Sequence, residues 1–255
     1  MSTRTGLRAV AATRYVTPLR EGGSLPGIVE ADDDGIYVAK FRGAGQGLRA
    51  LVAEVIVGEL ARRLGLLVPE LVNLEMDPAL GLAEPDPEIQ ALILASAGSN
   101  LGVDFLPGAL TYSPGAGWTP DGGLAAAIVW LDALVTNVDR AARNPNLLIW
   151  HGRLWLIDHG AALYQHHRGL LPAEHAGAGF PQISEHVLLE RADSIFEAHA
   201  RLAPQVDRRM LDEVVALVPR GWLIGEDPRV YAEYLTRRIQ LRSFVEEAER
   251  ARAGS

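Results

Sequence analysis

The sequence predicts an α+β chain of two lobes: a β-rich one over residues 1–105 with one main helix, and a mostly helical one over residues 106–255. Three observations carry this. Up to about residue 105, short apolar runs alternate with Gly, Pro and Asp clusters, the punctuation of strands and turns. One segment of that half, Leu48 to Leu64, repeats apolar residues at spacings of three and four, the period of a helix. Beyond residue 105 the composition shifts to longer apolar segments of helical character.

Taken in order, Ala11 to Pro18 reads as a strand, and Arg20-Glu-Gly-Gly-Ser-Leu-Pro-Gly27 as a turn or flexible loop. Ile28 to Ala31 and Ile36 to Phe41 read as strands joined by the turn Asp32-Asp-Asp-Gly35. Lys40 shares a strand face with Ile36 and Val38. Gly43-Ala-Gly-Gln-Gly47 links this hairpin to the helix, where Leu51, Val55, Ile56, Leu60 and Leu64 form the apolar stripe. Gly65 suits the helix C-cap and Pro69 bars continuation. Glu70 to Met76 and Ile89 to Ala95 read as strands, and Gly98 to Pro107 as a loop or extended link.

In the second half, Asp121 or Gly122 to Thr136 reads as an apolar helix containing Trp130. Leu147 to Trp150 and Leu154 to Ile157 are apolar runs joined by His151-Gly152-Arg153, the pattern of a β-hairpin. Tyr164 to Phe180 looks irregular, and Ile183 to Leu202, Val206 to Val218 and Arg229 to Arg250 look helical. The five tryptophans are most simply core residues.

Composition narrows the function. A net charge of −8 argues against a nucleic-acid surface, which is usually basic. The absence of cysteine excludes disulfides, thiolate chemistry and cysteine-based zinc sites. The first residues lack the apolar core of a signal peptide. The longest apolar region, Leu124 to Val135, is interrupted by Asp132 and is too short to span a bilayer. The expectation is a cytoplasmic protein without membrane contact.

The residues that carry chemistry cluster around the predicted hairpin. Asp139 can accept a proton from an attacking hydroxyl. Asn144 or Asn146, with Asp158, can hold Mg²⁺ against a nucleotide's phosphates, since hard cations take oxygen ligands. Asn146 starts one hairpin strand and Asp158 follows the other, so antiparallel pairing brings them side by side. Singly, each is an ordinary turn residue; together they form the acid, amide and acid set that phosphoryl transfer requires. Upstream, Lys40 lies in an otherwise apolar strand, where a charge needs a partner. Glu54 and Glu59 of the following helix are candidates, and only one can point at Lys40. Gly22-Gly23-Ser24 could fold over phosphates through backbone N–H groups. The histidines lack the helical His-x3-His spacing of a common zinc site, and no Gly-x-Ser-x-Gly element supports a serine hydrolase.

In this order the set resembles the HipA-like kinase family, with its protein-kinase-like fold. The resemblance rests on Tyr37-Val-Ala-Lys-Phe41, Ala53-Glu-Val-Ile-Val-Gly-Glu-Leu-Ala-Arg-Arg-Leu-Gly-Leu-Leu-Val-Pro69, Asn137-Val-Asp-Arg-Ala-Ala-Arg-Asn144 and Leu156-Ile-Asp158, and covers about residues 15 to 165. It implies that Lys40 binds phosphate with Glu54 as its partner, that Asp139 is the catalytic base, and that Asn144 and Asp158 are Mg²⁺ ligands. It also implies that Val103-Asp104-Phe105-Leu106 is a hinge contacting adenine through backbone groups, and that Ser24 matches a self-phosphorylated serine of some members. The implied activity is ATP- and Mg²⁺-dependent transfer to an acceptor hydroxyl, a serine or threonine of a protein. Against the family pattern, His159 replaces the phenylalanine that follows the metal-binding aspartate in ordinary protein kinases, Asn146 could replace Asn144, and the chain is shorter than a full HipA toxin. Ala141 and Ala142, at positions usually polar, keep open the alternative of a catalytically weak pseudokinase that binds nucleotide and acts as a regulatory scaffold.

Overall fold

A computed structural model describes residues 6–19, 25–169, 173–223, 225 and 227–254. Five strands close a small barrel: β1 (Arg8–Pro18), β2 (Gly27–Ala31), β3 (Ile36–Lys40), β4 (Leu71–Met76) and β5 (Gly98–Asp104), in the order β1-β2-β3-β5-β4. The β1–β4 contact is parallel and the others are antiparallel. Period-two alternation decides the faces. Tyr37, Ala39 and Phe41 point into the barrel with Val10, Val29, Val72, Leu74 and Met76. Lys40 therefore points out of it, toward α1 (Gly47–Arg63).

α1 is buried over most of its length and shares one apolar core with Leu71 and Leu101 and with the helices that follow. Those are α3 (Gly122–Leu134), α4 (Ile195–Leu202), α5 (Arg208–Val215), α6 (Arg229–Leu241) and α7 (Ser243–Ala253). The expected hairpin is present as β7 (Leu147–Trp150) and β8 (Arg153–Leu156), paired Leu147 to Leu156. A short strand, β6 (Leu110–Thr111), joins its edge.

Four expectations are corrected. Residues expected as a strand from Ile89 form helix α2 (Pro87–Ala95). Asp86 caps it by accepting the Glu88 N–H at 3.0 Å, Pro87 sits in its first turn, and Ile89 and Ile93, four apart, cover the barrel. The link expected from Gly98 is instead β5, whose turn-prone Gly-Ser-Asn start pairs with β4 and whose residues from Leu101 on pair with β3 as well, overriding local propensity. A Cβ at Gly102 would lie 2.6 Å from Val72 Cγ2, so only glycine lets the strands approach there. The long helix expected from Ile183 begins only at Ile195, where Ser194 caps it, and Pro181–Glu185 and Leu189–Arg191 form separate 3-10 turns. The last helix breaks at Arg242, which adopts a left-handed φ of 61° between α6 and α7.

Candidate active site

β3, α1 and the loop after β8 bring three charges together. Lys40 Nζ donates to Glu54 and, at 2.8 Å, to Asp158 Oδ1. Glu54 is only 2% exposed, but its carboxylate is well satisfied. Besides Lys40, it accepts the N–H of His159 at 2.8 Å and of Gly160 at 3.0 Å. Glu54 thereby anchors both the lysine and the segment that carries Asp158. Glu59, the other candidate, is set against Arg62 at 3.6 Å instead.

The electrostatics follow from burial and pairing. Burial opposes the Lys40 charge, but Glu54 and Asp158 outweigh it and hold the ammonium above the ordinary lysine range. Burial also raises the Glu54 carboxyl, with Lys40 pulling the other way. For Asp158, whose side chain is 45% exposed, burial is overcome by Lys40, which holds the carboxyl well below the usual carboxylate range.

The second group sits on the loop between α3 and β7. Asp139 accepts Asn144 Nδ2 on both carboxylate oxygens, at 3.0 and 2.9 Å. Its backbone carbonyl accepts Asn146 Nδ2 at 2.7 Å, and its N–H donates to Asn137 Oδ1 at 3.1 Å. Asn146 is buried and Asn144 exposed. The Ile157 N–H donates to the Asn146 carbonyl at 3.1 Å, so the hairpin ends place Asn146 beside the residue that precedes Asp158. Asn146 and Asp158 both take left-handed backbone, φ 46° and 54°, a conformation Asn and Asp tolerate better than most residues. The Mg²⁺ ligand set can be tested on donor chemistry. Both asparagine amides donate through nitrogen, leaving their oxygens, with the Asp158 carboxylate, as an all-oxygen set suited to a hard cation. Among the described residues no three His, Cys, Asp or Glu side chains cluster as a metal site, so phosphate oxygens or water would complete the shell.

The remaining candidates are less directly placed. The Asp104 N–H donates to the Glu70 carbonyl at 2.9 Å and the Phe105 N–H to the Ile36 carbonyl at 3.0 Å. Two of the expected hinge donors are thus taken up within the sheet. Leu106 is buried and its carbonyl accepts the Ala109 N–H at 3.2 Å. Gly22, Gly23 and Ser24 lie outside the described residues.

Sequence reasoning missed the buried cluster behind the loop. Asp132 accepts Arg140 Nε at 2.5 Å, Asn137 Nδ2 at 2.9 Å and His186 Nε2 at 3.0 Å. Burial opposes the Asp132 charge, and Arg140 with His186 overrides it, keeping the carboxyl below its ordinary range. Burial, then the Arg140 charge, pushes His159 down to about 3. The signal was available: a carboxylate inside an otherwise apolar helix demands a buried partner.

The profile of a family described as HipA-like kinase matches residues 13–247. The chain belongs to the HipA-like kinase family. Among solved structures, this HipA-like kinase is similar to CtkA, a proinflammatory kinase of Helicobacter pylori, with a TM-score of 0.52 at 11% identity over 90% of this chain and 94% of that one. It is also similar to the Golgi casein kinase with Mn/ADP bound, with a TM-score of 0.52 at 14% identity over 96% of this chain and 73% of that one. At these identities the likeness establishes the protein-kinase-like fold. Among curated proteins, none matches the chain in sequence.

Proposed function

We propose that this HipA-like kinase transfers the γ-phosphoryl group of ATP to a serine or threonine hydroxyl of a protein acceptor. The observation that carries the reading is the Lys40–Glu54–Asp158 constellation, drawn from three separate elements. Lys40 has three N–H donors, of which Glu54 and Asp158 engage two, so a third is open to a phosphate oxygen. Asp139 orients the acceptor hydroxyl and takes its proton, while Asn144 holds the carboxylate. Asp158 and an asparagine amide oxygen would hold Mg²⁺. We favour Asn146, because its Nδ2 is fixed on the Asp139 carbonyl and its own carbonyl accepts the N–H of Ile157, the residue before Asp158. Bound Mg²⁺ supplies charge neutralisation on the phosphates. The base would be met at the hinge by backbone groups of 103–106 not already engaged in the sheet.

A nucleotide and divalent metal in the related Golgi casein kinase support the cofactors, and that protein's name supports a protein acceptor. No helix among the described residues is long and apolar enough to cross a membrane, which accords with action in the cytoplasm. The test is incubation with γ-labelled ATP and Mg²⁺, wild type beside Asp158→Ala, followed by mass spectrometry for phosphoserine and phosphothreonine, Ser24 included. Transfer by wild type and its loss in the variant are expected. Tight Mg²⁺–ATP binding with no transfer to any acceptor would establish the pseudokinase instead.

A further inference from the structure

The buried cluster behind the Asp139 loop is not used by the chemistry above, yet it touches both the loop that carries Asp139 and Asn146 and the segment that carries Asp158. Arg140 is 2% exposed and directly follows Asp139. Its Nε meets Asp132 of α3 at 2.5 Å, its NH1 donates to the Asn146 carbonyl at 2.5 Å, and its NH2 lies 3.2 Å from His159 Nδ1. One guanidinium thus ties α3, the residue just before β7 and the residue after Asp158. His186 orients the arrangement from the far side. The Leu188 N–H donates to His186 Nδ1 at 3.1 Å, so the ring proton sits on Nε2, which donates to Asp132 at 3.0 Å. The Arg140 carbonyl in turn accepts the Val187 N–H at 2.9 Å.

We propose that Arg140, oriented by Asp132 and His186, is a positioning residue that sets the loop bearing Asp139 and Asn146 against the loop bearing Asp158. The inference rests on the phosphotransferase reading. Its physical basis is twofold. Both loops are irregular, and Thr136, Asn146 and Asp158 all carry left-handed φ, so regular secondary structure does not define their relative placement. A buried ion pair is also a poor source of stability compared with apolar packing, and its best-attested use is specifying one arrangement. A planar fork with fixed donor directions does this where a lysine cannot. Transfer rates are sensitive to displacements of about 1 Å, each able to cost roughly 10²-fold.

The experiment compares wild type, Arg140→Lys, His186→Ala and His186→Gln for turnover, KM for ATP, ATP affinity with and without Mg²⁺, and folded fraction by near-UV circular dichroism. Arg140→Lys keeps the charge but loses the fork, and should lower kcat by about 10²-fold with metal-free ATP affinity changed by less than about twofold. His186→Ala should lower kcat by about tenfold, and His186→Gln, whose amide can still donate to Asp132, should restore it to within about threefold. Wild-type turnover in Arg140→Lys and His186→Ala would overturn the proposal, as would losses that merely follow the folded fraction. Should Arg140→Lys not fold, the His186 pair decides alone. A wild type that binds Mg²⁺–ATP but transfers nothing removes the phosphotransferase reading only. The positioning role is then judged by the gain in ATP affinity that Mg²⁺ confers, which must shrink in Arg140→Lys and overturns the proposal if it does not.

Discussion

Lys40 Nζ stands 2.8 Å from Asp158 Oδ1 although 118 positions separate them in the chain. One residue ends a barrel strand and the other follows the β7–β8 hairpin, with Glu54 of α1 joining Lys40 to the segment that carries Asp158. The contact forms only when barrel, helix and hairpin are packed together, so it reports the assembled site.

The two glutamates of α1 should separate cleanly by mutation. Glu54→Gln loses the charge that holds Lys40 and should lower phosphoryl transfer by about 10²-fold, the scale of one electrostatic element at a transfer site. Glu59→Gln disturbs only a loose pair with Arg62 and should stay within about twofold of wild type. Steady-state rates at saturating Mg²⁺–ATP decide it, and equal losses in both variants contradict the assignment.

The two asparagines should differ in kind. Asn146→Ala is expected to raise the Mg²⁺ concentration for half-maximal activity by about tenfold. Asn144→Ala should leave the Mg²⁺ requirement unchanged and lower turnover by freeing the Asp139 carboxylate. A Mg²⁺ titration of both variants is the check, and the reverse pattern would assign the metal to Asn144.

Arg238 is fully buried, and it donates to the carbonyls of Ala133 at 2.9 Å, Leu134 at 2.8 Å, Ala176 at 3.0 Å and Ala178 at 3.2 Å. It fastens the C-terminus of α3, just upstream of the Asp139 loop, to the segment containing residues 176–178. Arg238→Met fills similar space but strands these acceptors, so it should cost more than about 3 kcal/mol. Urea unfolding measures this, and a loss under about 1 kcal/mol would show that the carbonyls find other partners.

His166 links pH to stability. Burial, then the neighbouring His167 and Arg49, pushes it down to about 3. An unfolded chain binds its proton near the ordinary value of about 6.5. Between these values the unfolded state holds more protons, so stability falls as pH drops through that window. The Tm should decline from pH 7.5 to 5.5, and His166→Gln should flatten the decline. An unchanged slope in the variant would assign the effect to other groups.

Local patterns disclosed much of the site. Lys40 was visible as a charge in an apolar strand, and the β7–β8 hairpin as two apolar runs around a glycine turn, although Arg153, expected in the turn, belongs to β8 and sets the pairing of Leu147 with Leu156. The same reasoning failed where long-range pairing outweighs propensity. Residues 98–104 carry turn-forming side chains, yet 98–103 pair with β4 and 101–104 with β3, and Asn100 Oδ1 even accepts the Arg42 N–H at 2.8 Å. The reverse error, a strand expected at Ile89, came from weighing apolar content above the Asp86-Pro87 helix start.

The sequence by itself determined the inventory and its local settings: which residues are acidic, amide or basic, which strand face carries Lys40, and which hairpin ends lie together. These depend on near neighbours, through periods of two and 3.6 residues. Only the tertiary structure decided that Glu54 rather than Glu59 meets Lys40, that Asn144 holds Asp139, and that Asp132, Arg140 and His186 lock the loop from behind. Those choices depend on how α1 is rotated against the barrel and how α3 packs against α4, α6 and α7, and such rotations are set by the whole core rather than by any window of the chain.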